Sequence, residues 1–336
     1  MTAHSLKEIF EAFNSLKVII IGDVMIDSYI YGKVERISPE APVPIITIKS
    51  KEKRLGGAAN VALNIQALGA EPILCSVVGS DRDGAIFKEL LEAQEISATG
   101  IICSDERTTT KKQRVMSGSH HLLRIDSEIN TPINTEEEDA LIDLVSQKIA
   151  EADVVVFEDY DKGVITPRVI QQVILLANEK GIPTVVDPKK NNFNHYFGAT
   201  LFKPNLKELK EGLKLEFDAT NLNELQNAVA ELKNRLSIKN ALITLSERGV
   251  YVDCEKEKHL LPAHIRSISD VSGAGDTVIS IAALGMALNI PPKLVAALSN
   301  LGGGLVCEFI GVVPINKTSL YQEALDHKLF DEHTIY

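Results

Sequence analysis

Short apolar runs alternate with stretches of helical periodicity along most of this chain. Five of the runs are typical of buried strands, and polar or acidic residues follow them: 18–21, 73–78, 154–157, 184–186 and 241–245. Apolar residues at helical spacing predict helices between and beside them: 57–68, 86–93, 136–150, 167–179 and 222–236. This alternation indicates a parallel sheet covered by helices on both faces. Ligands bind such sheets beyond the carboxyl ends of the strands, where the acidic residues fall.

Two segments interrupt the alternation. Residues 29–54 and 107–126 contain short β-like runs and turns rather than strand–helix units. We expect their strands to pair into a small separate sheet that acts as a lid. The apolar run 45–48 would be a hazard on an open edge, so we also expect the lids of two subunits to pair into a homodimer. The core then comprises the remaining residues, 1–28, 55–106 and 127–336.

Composition and charge exclude several classes of partner. Of the 336 residues, 45% are hydrophobic and 24% charged, which is ordinary for a folded α/β chain. The net charge of -11 and the pI of about 5.3 argue against nucleic acid and anionic membranes as partners. The four cysteines are scattered without a C-x-x-C pair, and the N-terminus lacks a signal-peptide pattern. These features favour a cytoplasmic protein.

The segment 270–277 carries the clearest chemical signal. Gly273 and Gly275 flank Ala274 just before an apolar helical stretch, so backbone N–H groups can approach an anion at the positive end of a helix. Asp276 at this point fits a base that deprotonates a hydroxyl while the amides stabilise a phosphoryl group in transit. Taken alone, the motif is explained more simply as a helix start. The rest of the chain favours the anion site.

A second glycine-rich segment opens the helix predicted after the first β insert. Gly56 and Gly57 let a substrate lie against the backbone, and the amide of Asn60 can hydrogen-bond a sugar hydroxyl. Close packing of a helix N-terminus explains the same residues equally well. Asp27 follows the first strand and is either an acceptor for polyol hydroxyls or a turn residue.

Two weaker signals follow later strands. Asn205 and Glu208 have the spacing of a helix cap and its capping-box partner, which is a complete structural explanation. At the carboxyl edge of a sheet the same pair can orient Mg²⁺ and its waters near phosphates. Thr244, Ser246 and Gly249 form a strand-to-turn element of the kind that contacts nucleotides.

Together and in this order, these motifs resemble the ribokinase-like (PfkB) family of ATP-dependent sugar kinases, from about residue 21 to about residue 314. The D-x-x-G-A-G-D signature at 270–276 is the most specific part. Segments 22–27, 36–44 and 56–62 resemble one subgroup, the D-glycero-D-manno-heptose-7-phosphate kinases of lipopolysaccharide heptose synthesis. Two shorter matches to that subgroup lie at 159–163 and 187–189. The resemblance implies an α/β, Rossmann-type, mostly parallel sheet with helices on both faces and a small β-sheet lid.

The resemblance also implies a role for each matching residue. Asp276 would be the catalytic base, with Gly273, Ala274 and Gly275 as the anion hole. The sugar would contact Asp27, Gly56, Gly57, Asn60 and Asp159. The Mg²⁺–phosphate region would involve Asn205 and Glu208, and ATP would contact Thr244, Ser246, Gly249 and Asn300. Asp270 and Ser272 match positions that help to bind a monovalent cation, K⁺, in relatives.

The implied reaction is ATP-dependent phosphorylation of the anomeric hydroxyl of a heptose 7-phosphate, giving the 1,7-bisphosphate. Many members of the subgroup carry a second, nucleotidyltransferase domain, and we expect this chain to perform only the kinase step. A kinase of another phosphosugar, sugar or nucleoside is the alternative enzyme, and a non-catalytic sugar or nucleotide sensor is the alternative of another class. Candidate anchors for the phosphate of the substrate are Arg36, Lys111, Lys112, Arg114, Arg124 and Lys189.

Overall fold

A computed structural model describes residues 5–118, 120–255 and 257–329 of the chain. Residues 1–4, 119, 256 and 330–336 lie outside the described part, so the predictions that include them are compared with the structure only for their other residues. Within it, the strands form two sheets. The larger sheet has nine strands and the smaller has four, so the predicted α/β class with a small second sheet is confirmed.

The nine strands of the larger sheet lie in the order β13-β12-β11-β10-β9-β8-β1-β4-β5. Neighbouring strands are parallel from β11 to β5, and the β11–β12–β13 edge is antiparallel. In chain order these strands are β1 (Lys17–Gly22), β4 (Glu71–Gly79), β5 (Ile101–Ser104), β8 (Val154–Glu158), β9 (Thr184–Asp187), β10 (Leu201–Phe202), β11 (Asn240–Thr244), β12 (Val250–Asp253) and β13 (Lys258–Leu261).

Helices cover both faces of this sheet, because successive side chains of a strand point to opposite sides. Val18 and Ile20 of β1 belong to one buried cluster, and Ile19 and Ile21 belong to the other. The first cluster includes side chains of α1 (Leu6–Ala12), α2 (Ala58–Ala67), α3 (Arg82–Ala93), α8 (Ala274–Ala287), α9 (Pro292–Val306) and α10 (Lys317–Asp326). The second includes side chains of α4 (Thr135–Lys148), α5 (Pro167–Lys180), α6 (Leu206–Leu213) and α7 (Leu222–Leu236). Short 3₁₀ turns lie at Phe13–Ser15, Ile149–Glu151 and Ser246–Arg248.

Local capping decides where several helices begin. The predicted helix 86–93 starts four residues earlier, at Arg82, because the side chain of Asp81 accepts a hydrogen bond from the amide of Gly84. Asn205 caps α6, and Glu208 completes its capping box. None of the helices in the described part of the chain has the length and apolar character that spanning a bilayer requires.

The smaller sheet has the strand order β3-β2-β6-β7, with β2 (Val24–Ile37), β3 (Pro44–Gly57), β6 (Lys111–Ser117) and β7 (His120–Ser127). β2 follows β1 after a single residue, and β3 leads directly into α2. The strands therefore extend beyond the segments 29–54 and 107–126 that the sequence suggests. The start of β2, which includes Asp27, and the end of β3 lie at the carboxyl edge of the larger sheet, where the site forms.

Candidate active site

The N-terminus of α8 is the centre of the candidate site. Gly273, the N-cap, has a φ of 81°, a conformation that favours glycine. This turn directs the chain into the helix with Asp276 in its first turn, buried with only 5% of its surface exposed. The amide groups of a first helical turn have no partner within the helix. A buried carboxylate therefore lies beside free N–H donors, as the motif predicts.

Two side chains hold the carboxylate of Asp276. Asn60 of α2 donates a hydrogen bond of 2.6 Å from Nδ2 to Oδ2, and the hydroxyl of Tyr160 donates one of 2.8 Å to Oδ1. Burial raises the pKa of Asp276, while the hydrogen bonds from Asn60 and Tyr160 act in the opposite direction. A carboxylate whose pKa is raised and which is still stabilised as an anion is suited to accept a proton.

The two glycines of the motif differ in what they allow. A Cβ added to Gly273 would lie 3.0 Å from Nδ2 of Asn60, and the residue would also be strained at its positive φ. Gly275 lies within α8 and has no positive φ. A Cβ on Gly275 would meet only Asp187 and Lys203, at 3.6 and 3.8 Å. Gly273 shapes the turn, whereas Gly275 keeps space open toward a charged pair.

The second glycine pair, Gly56 and Gly57, lies at the end of β3, directly before α2. Gly57 has a φ of 61°, and a Cβ there would clash at 2.3 Å with the carbonyl oxygen of Asp23. A Cβ on Gly56 would lie 2.3 Å from Oδ2 of Asp27. The glycines thus let β3 pass directly beside the buried carboxylate of Asp27, which forms an ion pair with Arg114. The structure brings Asp27, both glycines and Asn60 to the same end of α2.

One face of the smaller sheet, the cationic face, carries four positively charged side chains. Three of them, Arg54, Arg114 and Arg124, pair with carboxylates of the same face. Residues opposite each other in a sheet share a face, and Arg54, Asp27, Lys112 and Asp126 form one such row across the four strands. Arg114 lies two residues further along the same face. Arg54 also donates a 3.1 Å hydrogen bond to the carbonyl oxygen of Val312, beside the turn that opens α8. This contact places the cationic face against the N-terminus of α8.

Three of the predicted phosphate anchors do not line this crevice. Arg36 is exposed at the distal end of β2, nine residues beyond Asp27. Lys111 forms an ion pair with Asp83 of α3 on the opposite face of the sheet. Arg124 shares the cationic face, but its side chain is 59% exposed and pairs with Asp126. Because side chains alternate along a strand, Lys111 and Lys112 point to opposite faces of the smaller sheet. The sequence alone does not show which of the two lysines faces the crevice.

Lysines converge on the other side of Asp276. Lys203 is fully buried and forms a 2.7 Å ion pair with Asp187, the last residue of β9. Lys189 forms a 2.7 Å ion pair with Glu208. Burial acts to lower the pKa of each lysine, and the neighbouring carboxylates outweigh it, so both pKa values are raised and both ammonium groups are charged. Asn205 caps the adjacent helix and pairs with Thr244 across a β-bridge.

The remaining nucleotide candidates cluster around the end of β11. Ser246 and Gly249 both have positive φ values, of 55° and 92°, and they form the tight turn between β11 and β12. Asn300 of α9 lies opposite, where its side chain donates a 2.8 Å hydrogen bond to the carbonyl oxygen of Pro262. Thr244 links this turn to Asn205. The structure therefore joins the predicted nucleotide and phosphate residues along one edge of the sheet.

Asp270 and Ser272 fix the loop before α8. Asp270 accepts hydrogen bonds from the amide and hydroxyl of Ser272, at 3.0 and 2.8 Å, and from the amide of Gly311 at 2.9 Å. Partial burial acts to raise the pKa of Asp270, but these hydrogen bonds outweigh it and lower the pKa. The carboxylate thus has a structural role that needs no cation. Binding of a monovalent cation by this pair stays a prediction.

Asp159 is predicted to bind substrate, but the structure turns it away from the crevice. Its carboxylate accepts hydrogen bonds from Asn192 and from Tyr196, at 3.0 and 2.9 Å, inside the layer beneath the sheet. Burial raises the pKa of this carboxyl to about 7. Glu158, the preceding residue and the last of β8, is the one whose carboxyl lies near Asp187 and Asp276.

Glu158 is the most unusual group that the sequence reading overlooked. It is fully buried, and neither of its carboxyl oxygens has a hydrogen-bond partner among the described residues. Burial, reinforced by the charges of Asp187 and Asp276, raises the pKa of Glu158 well above its ordinary value. Glu158 and Asp187 end adjacent strands in register. The only sequence signal is an acidic residue at a strand end, which Asp159 shares.

Metal-binding capacity at this edge is limited to oxygen donors. The residues that the structure describes contain no group of three or more His, Cys, Asp or Glu side chains able to hold a metal ion by themselves. Asp187, Asn205 and Glu208 nevertheless supply the carboxylate and amide oxygens that Mg²⁺ prefers. Both oxygens of Glu208 already accept hydrogen bonds, from Lys189 and from the amide of Asn205. The residues fit a magnesium ion bound mainly by phosphates and water.

A buried carboxylate at a helix N-terminus, with lysines on one side and the cationic face on the other, is typical of an α/β phosphotransferase of the kinase class. The chain belongs to the pfkB family of carbohydrate kinases, whose family model matches residues 15–317. The family and the sugar-kinase activity predicted from the motifs are thereby confirmed.

Curated relatives and solved structures agree with this family. The chain is 40% identical to bifunctional protein HldE of Caulobacter vibrioides over 92% of this chain and 63% of that protein. It is 35% identical to bifunctional protein HldE of Syntrophotalea carbinolica over 98% of this chain and 67% of that protein. The chain spans about two thirds of the length of the curated relatives it matches.

Among solved structures, phosphofructokinase-2 of Escherichia coli in complex with fructose-6-phosphate superposes with a TM-score of 0.72. The match has 16% identity and covers 92% of this chain and 99% of that chain. Ribokinase of Arabidopsis thaliana, complexed with ribose and ATP, has a TM-score of 0.69 at 15% identity, with the same coverage of both chains. At this level of identity, the similarity shows the fold.

Proposed function

We propose that the protein uses ATP to phosphorylate the anomeric hydroxyl of D-glycero-D-manno-heptose 7-phosphate, giving the 1,7-bisphosphate for lipopolysaccharide core heptose. The observation that carries the kinase chemistry is the buried carboxylate of Asp276 between Asn60 and Tyr160 at the start of α8. Support for the heptose comes from the subgroup motifs at 36–44, 56–62 and 159–163 and from the similarity to HldE proteins.

The geometry accounts for each part of the transfer. Asp276 accepts the proton of the sugar hydroxyl as its oxygen forms a bond to the γ-phosphorus of ATP. The bond from that phosphorus to the β–γ bridging oxygen breaks, and ADP leaves with the electron pair. The amide of Gly275 in the first turn of α8, for which the described residues offer no partner, binds an equatorial oxygen of the phosphoryl group. The neighbouring amide of Ala274 donates to the carbonyl oxygen of Val271 at 3.3 Å and would exchange this hydrogen bond for one to the phosphoryl group. Lys203 neutralises charge on the phosphates of ATP.

Asp187, Asn205 and Glu208 are the residues that would hold Mg²⁺, directly or through water. When bound, the ion offsets charge on the phosphates of ATP. For a monovalent cation near Asp270, the structure offers a carboxylate whose two oxygens already accept three hydrogen bonds. We therefore assign no step to K⁺.

The cationic face of the smaller sheet supports an acceptor that carries its own phosphate. In a protein with a net charge of -11, a phosphosugar needs local positive charge. Among the described residues Lys112 has no hydrogen-bond or ion-pair partner, although it is largely shielded from solvent. Burial disfavours the charged form of Lys112 and so lowers its pKa. The negative charge of a bound phosphate would stabilise the charged form again. Arg114 and Arg54 complete the face.

The proposal includes the surroundings of the site. The smaller sheet would act as a lid over the sugar, and Thr244, Ser246, Gly249 and Asn300 would line the ATP end of the crevice. The apolar side chains exposed on the smaller sheet support a homodimer formed through it. A requirement for ATP supports a cytoplasmic location.

The test is an activity screen with ATP and Mg²⁺ over heptose, hexose and pentose phosphates, the corresponding free sugars and nucleosides. ADP release is measured, and ³¹P NMR locates the new phosphate. We expect the highest kcat/KM with heptose 7-phosphate and the new phosphate on C1. A higher kcat/KM with an unphosphorylated sugar or a nucleoside would favour the alternative kinase. ATP or sugar binding without any turnover would favour the sensor.

A further inference from the structure

Tyr160 lies between Asp276, Lys112 and Lys189, and the steps of the proposed reaction give it no role. It follows β8 and donates a 2.8 Å hydrogen bond to Oδ1 of Asp276. Burial, with the negative charges of Asp276 and Glu158 nearby, raises the pKa of this phenol well above its ordinary value, so the hydroxyl stays protonated and keeps its donor. Asn60 binds the other oxygen of the carboxylate. Asp276 is therefore held from two sides in one orientation.

The ring of Tyr160 contacts two ammonium groups. Nζ of Lys112 lies 5.4 Å from the ring centroid, and Nζ of Lys189 lies 5.3 Å from it. Lys112 belongs to the cationic face of the smaller sheet. Lys189 pairs with Glu208 at the edge where the ATP phosphates would lie. The ring thus has one cation from the acceptor side and one from the nucleotide side, each at a distance typical of a cation–π contact.

The backbone around Tyr160 is fixed by a second buried carboxylate. Asp23 accepts hydrogen bonds from the amides of Tyr160, Lys162 and Val164, at 2.8, 3.0 and 3.0 Å. Asp23 lies between β1 and β2, at the point where the chain leaves the larger sheet for the smaller one. Tyr160 is therefore anchored to the junction of the two sheets rather than to a free loop.

We propose that Tyr160 is a positioning residue for phosphoryl transfer, which orients Asp276 through its hydroxyl and separates two phosphate subsites with its ring. In this arrangement Lys112 binds the phosphate that the acceptor already carries. Lys189, which the sequence analysis names as an anchor for that phosphate, binds the phosphates of ATP instead. This inference rests on the proposed kinase function and adds an assignment of each lysine to one substrate. Two anionic substrates would otherwise repel each other across the same small crevice.

The first test separates the hydroxyl of Tyr160 from its ring. Tyr160→Phe retains the ring and removes the donor to Asp276. We expect kcat to fall about ten-fold, as for loss of one hydrogen bond to a charged group, with both KM values within about two-fold of wild type. In the wild type, the hydrogen bond from Tyr160 lowers the pKa of Asp276. Its loss should raise this pKa and move the acid limb of the kcat–pH profile to higher pH.

Tyr321→Phe on α10 is the matched control, with no change expected. An unaltered kcat and pH profile in Tyr160→Phe would overturn the positioning role.

The second test assigns the two lysines and does not depend on Tyr160→Phe being folded. Lys112→Met should raise KM for the phosphosugar about ten-fold or more and leave KM for ATP unchanged, whereas Lys189→Met should do the reverse. If both substitutions raise the same KM, the two subsites are not separate.

Wild-type enzyme is first assayed on the whole acceptor screen. If it uses a phosphosugar other than the heptose, the proposed substrate fails while the comparison of variants on that acceptor still decides this inference. If it uses only unphosphorylated acceptors, Lys112 has no phosphate to bind and the assignment of Lys112 is overturned as well.

Discussion

Asn60 and Asp276 are 216 positions apart in the chain, yet Nδ2 of Asn60 lies 2.6 Å from Oδ2 of Asp276. This contact joins the first turns of α2 and α8, and it explains why two separate glycine-rich helix starts serve one site. Asn60 is fully buried, and its Oδ1 has no hydrogen-bond partner among the described residues. The same side chain therefore orients the base and leaves an acceptor for a hydroxyl of the sugar.

Asp276→Asn tests the base directly. The amide has the same shape as the carboxylate but cannot accept a proton from the sugar. We expect kcat to fall by about 10²–10⁴, with the dissociation constant for ATP within about three-fold of wild type because no predicted ATP contact is removed. Steady-state kinetics and calorimetric titration of ATP measure the two quantities. A variant that retains more than about a tenth of wild-type kcat would show that another group is the base.

The two glycines before and within α8 should respond differently to the same small change. Gly273→Ala places a Cβ at a positive φ and 3.0 Å from Asn60, so we expect a loss of about 1–2 kcal/mol in the free energy of unfolding. Gly275→Ala meets only ordinary contacts, at 3.6 Å or more, and should leave stability unchanged. Its methyl group nevertheless narrows the space near Lys203, so kcat should fall. Denaturant titration and kinetics on both variants measure this contrast, and equal stability losses would contradict it.

The sequence was sufficient for the main architecture because central parallel strands are buried on both faces. Val18–Ile21 contributes to both apolar clusters, so it reads as a continuous apolar run. Residues 24–28 follow this run after Gly22 and Asp23, and the predicted boundary of the core falls after residue 28. Only the pairing of Asp27 with Arg54 and Lys112 shows that these residues belong to the smaller sheet. Short strands such as β5 and β13 carry too little pattern to be recognised.

Residues of the candidate site that are consecutive in the sequence could be predicted, whereas residues that meet only through the fold could not. The segment around Asp276 is recognisable because the glycines, the carboxylate and the helix start are consecutive. Tyr160 and Lys203 reach Asp276 and Asp187 through strand register, which the sequence does not state. The resemblance points to Asp159, whereas the carboxyl that lies near Asp187 and Asp276 is that of Glu158, because a shift of one residue along the chain changes the side to which a side chain points.

Glu158→Gln should stabilise the protein, and increasingly so at higher pH. The pKa of Glu158 is raised above its ordinary value of 4.5, so the folded state binds more protons than the unfolded state. The free energy of unfolding therefore falls as the pH rises from about 4.5 through the folded pKa, by up to about 1.4 kcal/mol per pH unit. A neutral amide of the same shape removes this dependence.

The measurement for Glu158→Gln is the melting temperature of wild type and variant between about pH 5 and about pH 8. The difference in favour of the variant should grow with pH. Glu89→Gln, at an exposed position of α3, is the matched control and should show no such trend. A difference for Glu158→Gln that is constant across this range would mean that the carboxyl is already ionised in the folded protein.

Dimerisation is tested on the face of the smaller sheet that points away from the crevice. Leu123 and Ile125 of edge strand β7 are 56% and 47% exposed, and they alternate with Arg124 and Asp126 of the cationic face. Further exposed apolar side chains on the same sheet are Ile37, Ile48 and Leu122. So much apolar surface on one small sheet is typical of a protein interface. We expect light scattering at micromolar concentration to give twice the chain mass of 36.7 kDa.

The double variant Leu123→Glu/Ile125→Glu should reduce this mass to that of one chain, because charges on both partners would be buried against each other. Leu175→Glu on α5 is the matched control, since Leu175 is also 56% exposed but lies outside the sheet. It should leave the mass unchanged. Neither substitution alters a side chain of the cationic face, so activity of the monomer shows whether the lid needs its partner. A wild-type protein that is monomeric at this concentration, or a double variant that stays dimeric, would exclude this face as the interface.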